Sequence, residues 1–515
     1  MANKYLLGID AGTTGCKTCV FDLKGNVIGT DYREYPCYYP NPGWVEQIPE
    51  DMIPALFESC KSAIKQSGVN NKDIAAMAIS SQGSVFGPLD KDGKLLRPFI
   101  GWQDARGVGY IDDFRQNKYM DNNKYYQITG YPIATVPCIT KYMWFKQNEP
   151  AIFEKTKYIS HQQDYLLKSF GAEEWFVDDT ATGSRTGVYD VSKRDWSKEI
   201  LDAIGIDIKL FPPIVQAGKV VGKIPHDIAI QTGLAEGTLI CVGAMDQNCS
   251  TMGAGLVKEG TAISVMGTYG AIYVVIDKDL RDPNKTLIFK NNSGPENYTV
   301  ESASVASASA YRWFRDTFCR LEKVVGDELG VDYYDIINKG IESVPPGANK
   351  ITFIPYLQGA GSGSRNDPFA RGCFLGLTLG TTKKEIGRAV MEGITLEMRD
   401  NFEAIRRSGI RVDNVRIVGG AVKSKMWSQM QADMYKTPVQ SLVAGETGCL
   451  GAALYAGVGA GLYKDFFEAT EQAVHVKETI NPNPSNYAAY DAAYERFCLG
   501  YEGLRNINYF KKINE

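Results

Sequence analysis

Short apolar runs that stop at a Gly-rich turn recur along this chain. Residues 5–10 are apolar and end on Asp10, followed by Ala11-Gly12-Thr13-Thr14-Gly15. Apolar residues return at Cys19-Val20-Phe21 and stop at Asp22-Leu23-Lys24-Gly25-Asn26. The pattern predicts a strand, a tight turn, a second strand, a hairpin turn at 24–26 and a third strand over 27–31. A second copy begins about half a chain later. Residues 261–266 (TAISVM) are apolar and β-prone, run into Gly267-Thr268-Tyr269-Gly270, and are followed by apolar residues 271–276 and Asp277-Lys278-Asp279. Two such units at the heads of two halves are what a duplicated domain leaves.

The run LICVGA (239–244) reads as a buried strand ending in Met245-Asp246-Gln247, and the domain boundary is placed here, giving 1–245 and 246–515. A long helix is predicted over 383–408, with Ile386, Val390, Ile394 and Met398 at helical spacing. RIVGG (416–420) reads as a strand entering a Gly turn, 423–435 as a helix, and 446–461 as a packed helix of small residues. Strands alternating with helices predict an α/β fold.

Composition narrows the function. A chain of 515 residues exceeds one core. Its net charge of -4, with no long run of one sign, argues against nucleic acid or an anionic membrane as partner. The apolar stretch 447–463 is short and Gly-rich, so it reads as a buried helix and not a membrane span. The 11 Cys form no C-x-x-C pair, and none of the three His (His161, His226, His475) lies beside a Cys, so no zinc site is expected. Residues 4–10 lack the features of a secretory signal. Reduced thiols in a cytoplasmic protein are the expectation, and the sequence leaves a homodimer open.

Candidate chemistry gathers at the Gly turns. Asp10 ends a buried strand beside Gly12, Thr13, Thr14 and Gly15, where backbone N–H groups and hydroxyls can approach a phosphate and a carboxylate can hold Mg²⁺. A turn residue capping its own loop is the competing reading. Gly267-Thr268-Tyr269-Gly270 offers a second loop of the same chemistry, or a plain hairpin. Asp246, also at a strand end and followed by Gln247, suits a general base for a sugar hydroxyl attacking a γ-phosphate; it suits equally the N-cap of 248–251. Trp102-Gln103-Asp104-Ala105-Arg106 is dense in sugar-binding residue types, or is a surface turn with a charge pair. His161 reads as a structural histidine.

Together these segments resemble the FGGY family of carbohydrate kinases over nearly the whole chain. GIDAGTTGCKTCVFD (8–22), which includes Lys17, looks like the first phosphate loop of that family, and 76–106 like its sugar segment. Lys141-Tyr142-Met143-Trp144 fits the first family signature, with Cys138 where a Ser, Thr or Pro is usual. Residues 179–190 are similar to a further family stretch. GCFLGLTLGTTKKEIGRAVME (372–392) fits the second signature throughout, and 414–439, with Gly419, Gly420, Lys423 and Trp427, resembles the adenosine segment. The resemblance implies two actin/hexokinase-like (ribonuclease H-like) ATPase domains with a cleft between them, and ATP and Mg²⁺ as cofactors. It implies Asp246 as catalytic base and Asp10 near Mg²⁺ and the γ-phosphate. Gly12, Thr13, Thr14, Lys17, Gly267, Thr268, Gly419, Gly420 and Lys423 would face the nucleotide. Gln82, Gly83, Trp102, Gln103, Asp104 and Gln247 would face a small sugar or polyol.

Glycerol kinases carry an Arg-Glu pair where this chain has Gly83-Ser84, and xylulokinases carry G-Q-M-H-G against Ser81-Gln82-Gly83-Ser84 here. Residues 366–372 (NDPFARG) are nevertheless similar to a xylulokinase run, and 311–319 (YRWFRDTFC) to autoinducer-2 kinases. The expectation is a xylulokinase-like ketose kinase, with the autoinducer-2 type as alternative. In a different class stands a non-catalytic actin-like ATP-binding protein, which has no need of Trp102-Gln103-Asp104 with Asp246-Gln247 opposite.

Overall fold

A computed structural model describes residues 4–173, 178–267, 269–361, 365 and 367–514. Two mixed sheets organise it. In the first, β1 (Tyr5–Ala11), β2 (Gly15–Asp22) and β3 (Val27–Glu34) form an antiparallel meander. On the other side of β1 lie β4 (Ile74–Ser81) and then β6 (Leu239–Met245), both parallel to it, and β5 (Val220–Lys223) closes the edge antiparallel. In the second sheet, β7 (Gly260–Met266), β8 (Gly270–Ile276) and β10 (Tyr298–Ser304) form the meander. Strands β11 (Val412–Val418) and β12 (Val439–Leu442) run parallel to β7, while β9 (Ile288–Asn291) and β13 (Val476–Ile480) extend the edges. The order β3-β2-β1-β4-β6 thus repeats as β10-β8-β7-β11-β12, in direction as well as in sequence. The internal repeat read from the two Gly-Thr turns is a repeat of the fold.

Local chemistry accounts for these elements. β1 and β6 are buried almost without interruption, as parallel strands covered on both faces are, whereas the outer β3 alternates with solvent. Helix α1 (Pro49–Ser67) starts with Pro in its first turn, ends on Gly68 in the left-handed region, and buries Met52, Leu56, Cys60 and Ala63. Short helices α2 (Thr180–Arg185) and α3 (Asp246–Gly253) follow, the first capped by the Asp179 carboxylate. The predicted long helix is α4 (Lys383–Arg407), opened by a reciprocal Thr382–Glu385 capping box, with Val390, Ile394 and Met398 fully buried and Ile386 at the rim of the second core. Helix α5 (Lys425–Tyr435) follows β11 after a short 3₁₀ turn at Gly420–Lys423.

Helix α6 (Thr447–Gly459) joins the halves. It follows β12 of the second sheet yet packs on α3, β1, β4 and β6 of the first. Its small residues make this approach feasible. A Cβ on Gly451 would stand 1.8 Å from the Cys249 carbonyl oxygen, one on Gly253 2.0 Å from that of Thr447, and one on Gly8 1.9 Å from that of Cys449. The apolar stretch 447–463 is therefore an interior helix. None of the described helices is long and apolar enough to cross a membrane.

Gly451→Ala tests this packing. Ala gains about 1 kcal/mol of helix propensity over Gly, but the clash falls on a backbone carbonyl that cannot rotate away. The variant should lose about 1–3 kcal/mol net, read as a lower urea midpoint. Gly503, exposed in helix Tyr487–Asn506 with open space where a Cβ would stand, is the control. There, Ala should stabilise by about 0.5–1 kcal/mol.

Candidate active site

Three neighbouring parallel strands of the first sheet end together, and each delivers a polar group. β1 carries Asp10 just before its last residue, β4 ends with Ser80-Ser81, and β6 leads through Met245 into Asp246, the first residue of α3. Ligands of open α/β sheets bind at such carboxyl ends. The Ser80 hydroxyl donates to Asp10 Oδ1 at 2.7 Å. A Cβ on Gly448 would come within 2.7 Å of Asp10 Oδ2, so the foot of α6 leaves room for that carboxylate. Burial raises the Asp10 carboxyl above its ordinary value, with the Ser80 bond opposing. Asp246 Oδ1 accepts the Gln247 N–H at 2.6 Å. Burial first, and the neighbouring Asp10 charge second, push its carboxyl up to about 6. Both aspartates are half-buried, as groups lining a cleft are.

The first loop is braced from beneath. Gly12 donates its N–H to the Gly15 carbonyl at 2.9 Å. Thr13 Oγ1 donates to Gln82 Oε1 at 2.9 Å and accepts from Trp102 Nε1 at 3.2 Å. Gln82 Nε2 is shared among Gly12 O, Gln47 Oε1 and Gln162 Oε1, and Gln47 Nε2 holds Thr13 O at 2.8 Å. Gln82, with 3% exposure, ties the end of β4 to the first Gly loop. Thr14 is exposed at the tip. Lys17 pairs with Glu446, just before α6, at 2.8 Å.

The second loop and the Gly419-Gly420 turn meet because β7 and β11 are neighbours. Gly267 donates to Tyr269 O at 3.1 Å and accepts from Ala308 N at 2.8 Å, while Thr268 lies outside the described residues. Gly419 has φ 102°, and a Cβ on it would sit 2.5 Å from Met266 O, so only glycine fits this turn against the second loop. Gly420 and Lys423 are exposed beyond it.

On the acceptor side the predicted residues divide. Gly83 faces Met245, whose Sδ would be 2.5 Å from an added Cβ, and Gln247 Oε1 accepts from Tyr273 OH at 3.0 Å. Trp102 is half-buried at the loop and Gln103 is exposed. Asp104 is 1% exposed, and its carboxylate is taken by the Val45 N–H and by Arg106, whose guanidinium stacks on Trp44 at 4.0 Å and Trp144 at 4.9 Å. Asp104 and Arg106 thus form a buried brace below Trp102. His161 is a buried structural histidine bonded to Tyr142 OH at 2.8 Å.

The structure adds a charged network that sequence reasoning missed. Arg185, at the end of α2, reaches Glu301 on β10 at 2.9 Å, and Lys290 on β9 reaches the same carboxylate at 2.9 Å. Tyr269 OH donates to Glu301 at 3.0 Å, and Arg185 donates to Tyr131 OH at 2.6 Å. Burial alone would raise Glu301, but Arg185 and then Lys290 outweigh it and pull it down to about 2. Burial lowers Lys290 to about 8 against the pull of Glu301. Both cations also act on Asp246 and favour its ionised form. Glu301, the lone charged residue of the strand YTVESAS, was the one available signal.

Similarity to known proteins places the chain in a family. The N-terminal domain model of the FGGY family of carbohydrate kinases covers residues 5–253, and the C-terminal domain model covers 260–460. The chain belongs to the FGGY family of carbohydrate kinases. It is 29% identical over 510 residues to a xylulose kinase of Bacillus subtilis (strain 168), covering 98% of both chains. It is 30% identical over 475 residues to a gluconokinase of the same organism, covering 91% of this chain and 90% of the relative. The crystal structure of ligand-bound xylulose kinase from Lactobacillus acidophilus matches with a TM-score of 0.88 at 25% identity, covering 98% of both chains. The fold is the two-domain actin/hexokinase-like kinase fold. Family membership makes the protein a carbohydrate kinase and implies ATP and a divalent metal.

The residues present fit such a metal. Asp10 offers a hard oxygen ligand at the cleft, with Oδ2 free of hydrogen bonds to the described residues. The described residues hold no cluster of three acidic, His or Cys side chains. One carboxylate, completed by phosphate oxygens and water, is how Mg²⁺ is usually held beside a nucleotide.

If Asp246 is the base that the family resemblance implies, it has to be ionised to accept a proton, so kcat/KM for the acceptor should rise with pH and reach half its plateau near pH 6. Lys290→Met removes a cation that favours the carboxylate, so the half-point should move to higher pH. A pH–rate profile of both proteins checks the position and the direction of the shift.

Proposed function

We propose that the chain transfers the γ-phosphate of ATP to a hydroxyl of a small ketose, a pentulose such as D-xylulose being the favoured acceptor, with Mg²⁺ as the metal. The observation that carries this reading is the placing of Asp10 and Asp246 at the ends of two parallel strands on either side of β4, between two Gly loops. In this reading residues 1–245 carry the first phosphate loop and most of the acceptor side, and 246–515 carry the second loop and the adenosine segment. Gly12, Thr13, Thr14 and Lys17 face the phosphates from one side, and Gly267, Gly419 and Gly420 face the nucleotide from the other.

The chemistry follows from the atoms in place. Asp246 Oδ1 is held by the Gln247 N–H, which leaves Oδ2 to take the acceptor proton. As that proton leaves, the hydroxyl oxygen bonds to the γ-phosphorus and the bond to the β-phosphate oxygen breaks, giving ADP and a sugar phosphate. Tyr273 fixes Gln247 Oε1, so its Nε2 is turned to a second acceptor hydroxyl. Asp10 would hold the metal, which supplies positive charge against the phosphate oxygens.

Full-length similarity to a xylulose kinase supports the ketose. A second reading, a sugar acid, is favoured by the charge beside Asp246. There Arg185 and Lys290 face the single Glu301, leaving one excess cation, and a gluconokinase is among the relatives.

Coupled ADP release over D-xylulose, D-ribulose, glycerol and D-gluconate tests the assignment, and acceptor-dependent turnover is expected with D-xylulose. Asp246→Asn should lower kcat by about 10²- to 10⁴-fold while ATP binding, measured by calorimetry, is retained. ATP hydrolysis indifferent to every acceptor would count against the kinase reading. A variant as fast as the parent would remove Asp246 as the base.

A further inference from the structure

Lys141 is fully buried, and its ammonium has no carboxylate within ion-pair distance among the described residues. It points instead into a ring of backbone carbonyls: Val136 O at 3.1 Å, Gly101 O and Trp102 O at 3.3 Å each, and Ser84 O at 3.4 Å. All four partners accept, and an ammonium, with three N–H donors, serves more of them than a neutral amine with two. Burial pulls its pKa below the usual lysine value. Burying an amine without a counter-ion is costly, and the four carbonyl oxygens offset part of that cost.

The carbonyls belong to three separate segments, and two of these flank the acceptor side of the cleft. Ser84 follows Gly83, which packs on Met245 beside Asp246. It holds a left-handed backbone at φ 60°, a strained conformation for serine that its surroundings must enforce. Its hydroxyl donates to Arg185 O at 3.2 Å and its carbonyl is the one that Lys141 takes. The other segment, Gly101-Trp102, runs up to the first phosphate loop, where the Trp102 indole reaches Thr13.

A peptide plane sets its N–H opposite its C=O. Drawing the carbonyls of Gly101 and Trp102 towards the ammonium therefore turns the N–H groups of Trp102 and Gln103 to the far side. Among the described residues neither N–H donates to the protein. They are two fixed donors suited to hydroxyl or carbonyl oxygens of a bound acceptor.

We propose that Lys141 is a positioning residue for the acceptor, an internal cation that gathers these carbonyls and so fixes the 83–85 and 102–103 segments. The proposal rests on the reading of this side of the cleft as the acceptor site. It differs from a general structural role in being directional, because it holds the acceptor side of the cleft directly and reaches the first Gly loop only through the Trp102 indole. Asp104 and Arg106, which brace the same turn from below, are paired with each other and not with Lys141.

The test compares the intact protein with Lys141→Met and Lys141→Arg, using hydrogen exchange without ligands and steady-state kinetics with D-xylulose and ATP. For Lys141→Met, amide exchange should accelerate by at least about 10-fold in peptides spanning 83–86 and 101–104, against little change elsewhere. The KM for D-xylulose should rise by roughly 10- to 100-fold, with the KM for ATP within about twofold of the parent. Lys141→Arg keeps the charge but not the shape, so it should show the same local loosening to a smaller extent. It decides the matter if the Met variant does not fold. Unchanged exchange in both segments, or a proportional loss in both KM values with exchange raised throughout, would overturn the proposal. If the parent itself does not turn over D-xylulose, the ketose reading fails while the exchange measurement still decides the role of Lys141.

Discussion

The contact between α3 and α6 is the constraint on which the rest of this structure depends. Each helix follows the last parallel strand of its own sheet, and the two cross where Gly253 and Gly451 leave room for carbonyl oxygens. Side chains at these positions would drive the backbones apart, because interiors this dense do not yield. The same approach places Gly448 against Asp10 and Glu446 against Lys17, so the second half helps to shape the first Gly loop. It also sets α3, whose first residue is Asp246, at the floor of the cleft. Glycines at a helix crossing thus decide where two carboxylates stand.

Charge then divides the labour between those carboxylates. Neither has a cation in ion-pair contact with it among the described residues. Asp10 keeps one bond, from Ser80, and an open oxygen, which suits a site completed by a metal. Asp246 is raised to about 6 by burial and by Asp10, so it is ionised at neutral pH and basic enough to accept a proton. Arg185 and Lys290 prevent a larger rise, and Glu301 fixes both cations in place. Glu301 has its own consequence for stability. Its carboxyl is lower in the folded chain than in the unfolded, so the stabilisation is present above the ordinary Glu value and is lost as pH falls towards about 2.

Much of the fold was legible in the sequence because it is written in local patterns. The two strand–turn–strand units, the capped helix over 383–407 and the small-residue helix at 447–459 all stand where periodicity and turn chemistry put them. Asp10 and Asp246 were legible as strand-end carboxylates beside Gly turns. Direction was not legible. Asp104 and Gln82 are residue types that bind sugars, yet one pairs with Arg106 and the other braces Gly12 and Thr13. Partnership across long separations was hidden too. Arg185 and Glu301 are 116 residues apart, and nothing in either neighbourhood names the other. Lys141 stood in a recognised signature, but its four carbonyl partners exist only once three segments are folded together.

The central claim is that the cleft brings an acceptor hydroxyl directly to the γ-phosphate, with Asp246 as base and no phosphorylated aspartate between. Stereochemistry at phosphorus reads this without ambiguity. With ATP made chiral at the γ-phosphorus by oxygen isotopes, a single in-line displacement predicts inversion in the sugar phosphate. Retention would mean two displacements through a covalent intermediate, with Asp10 or Asp246 acting as a nucleophile, and would contradict the account.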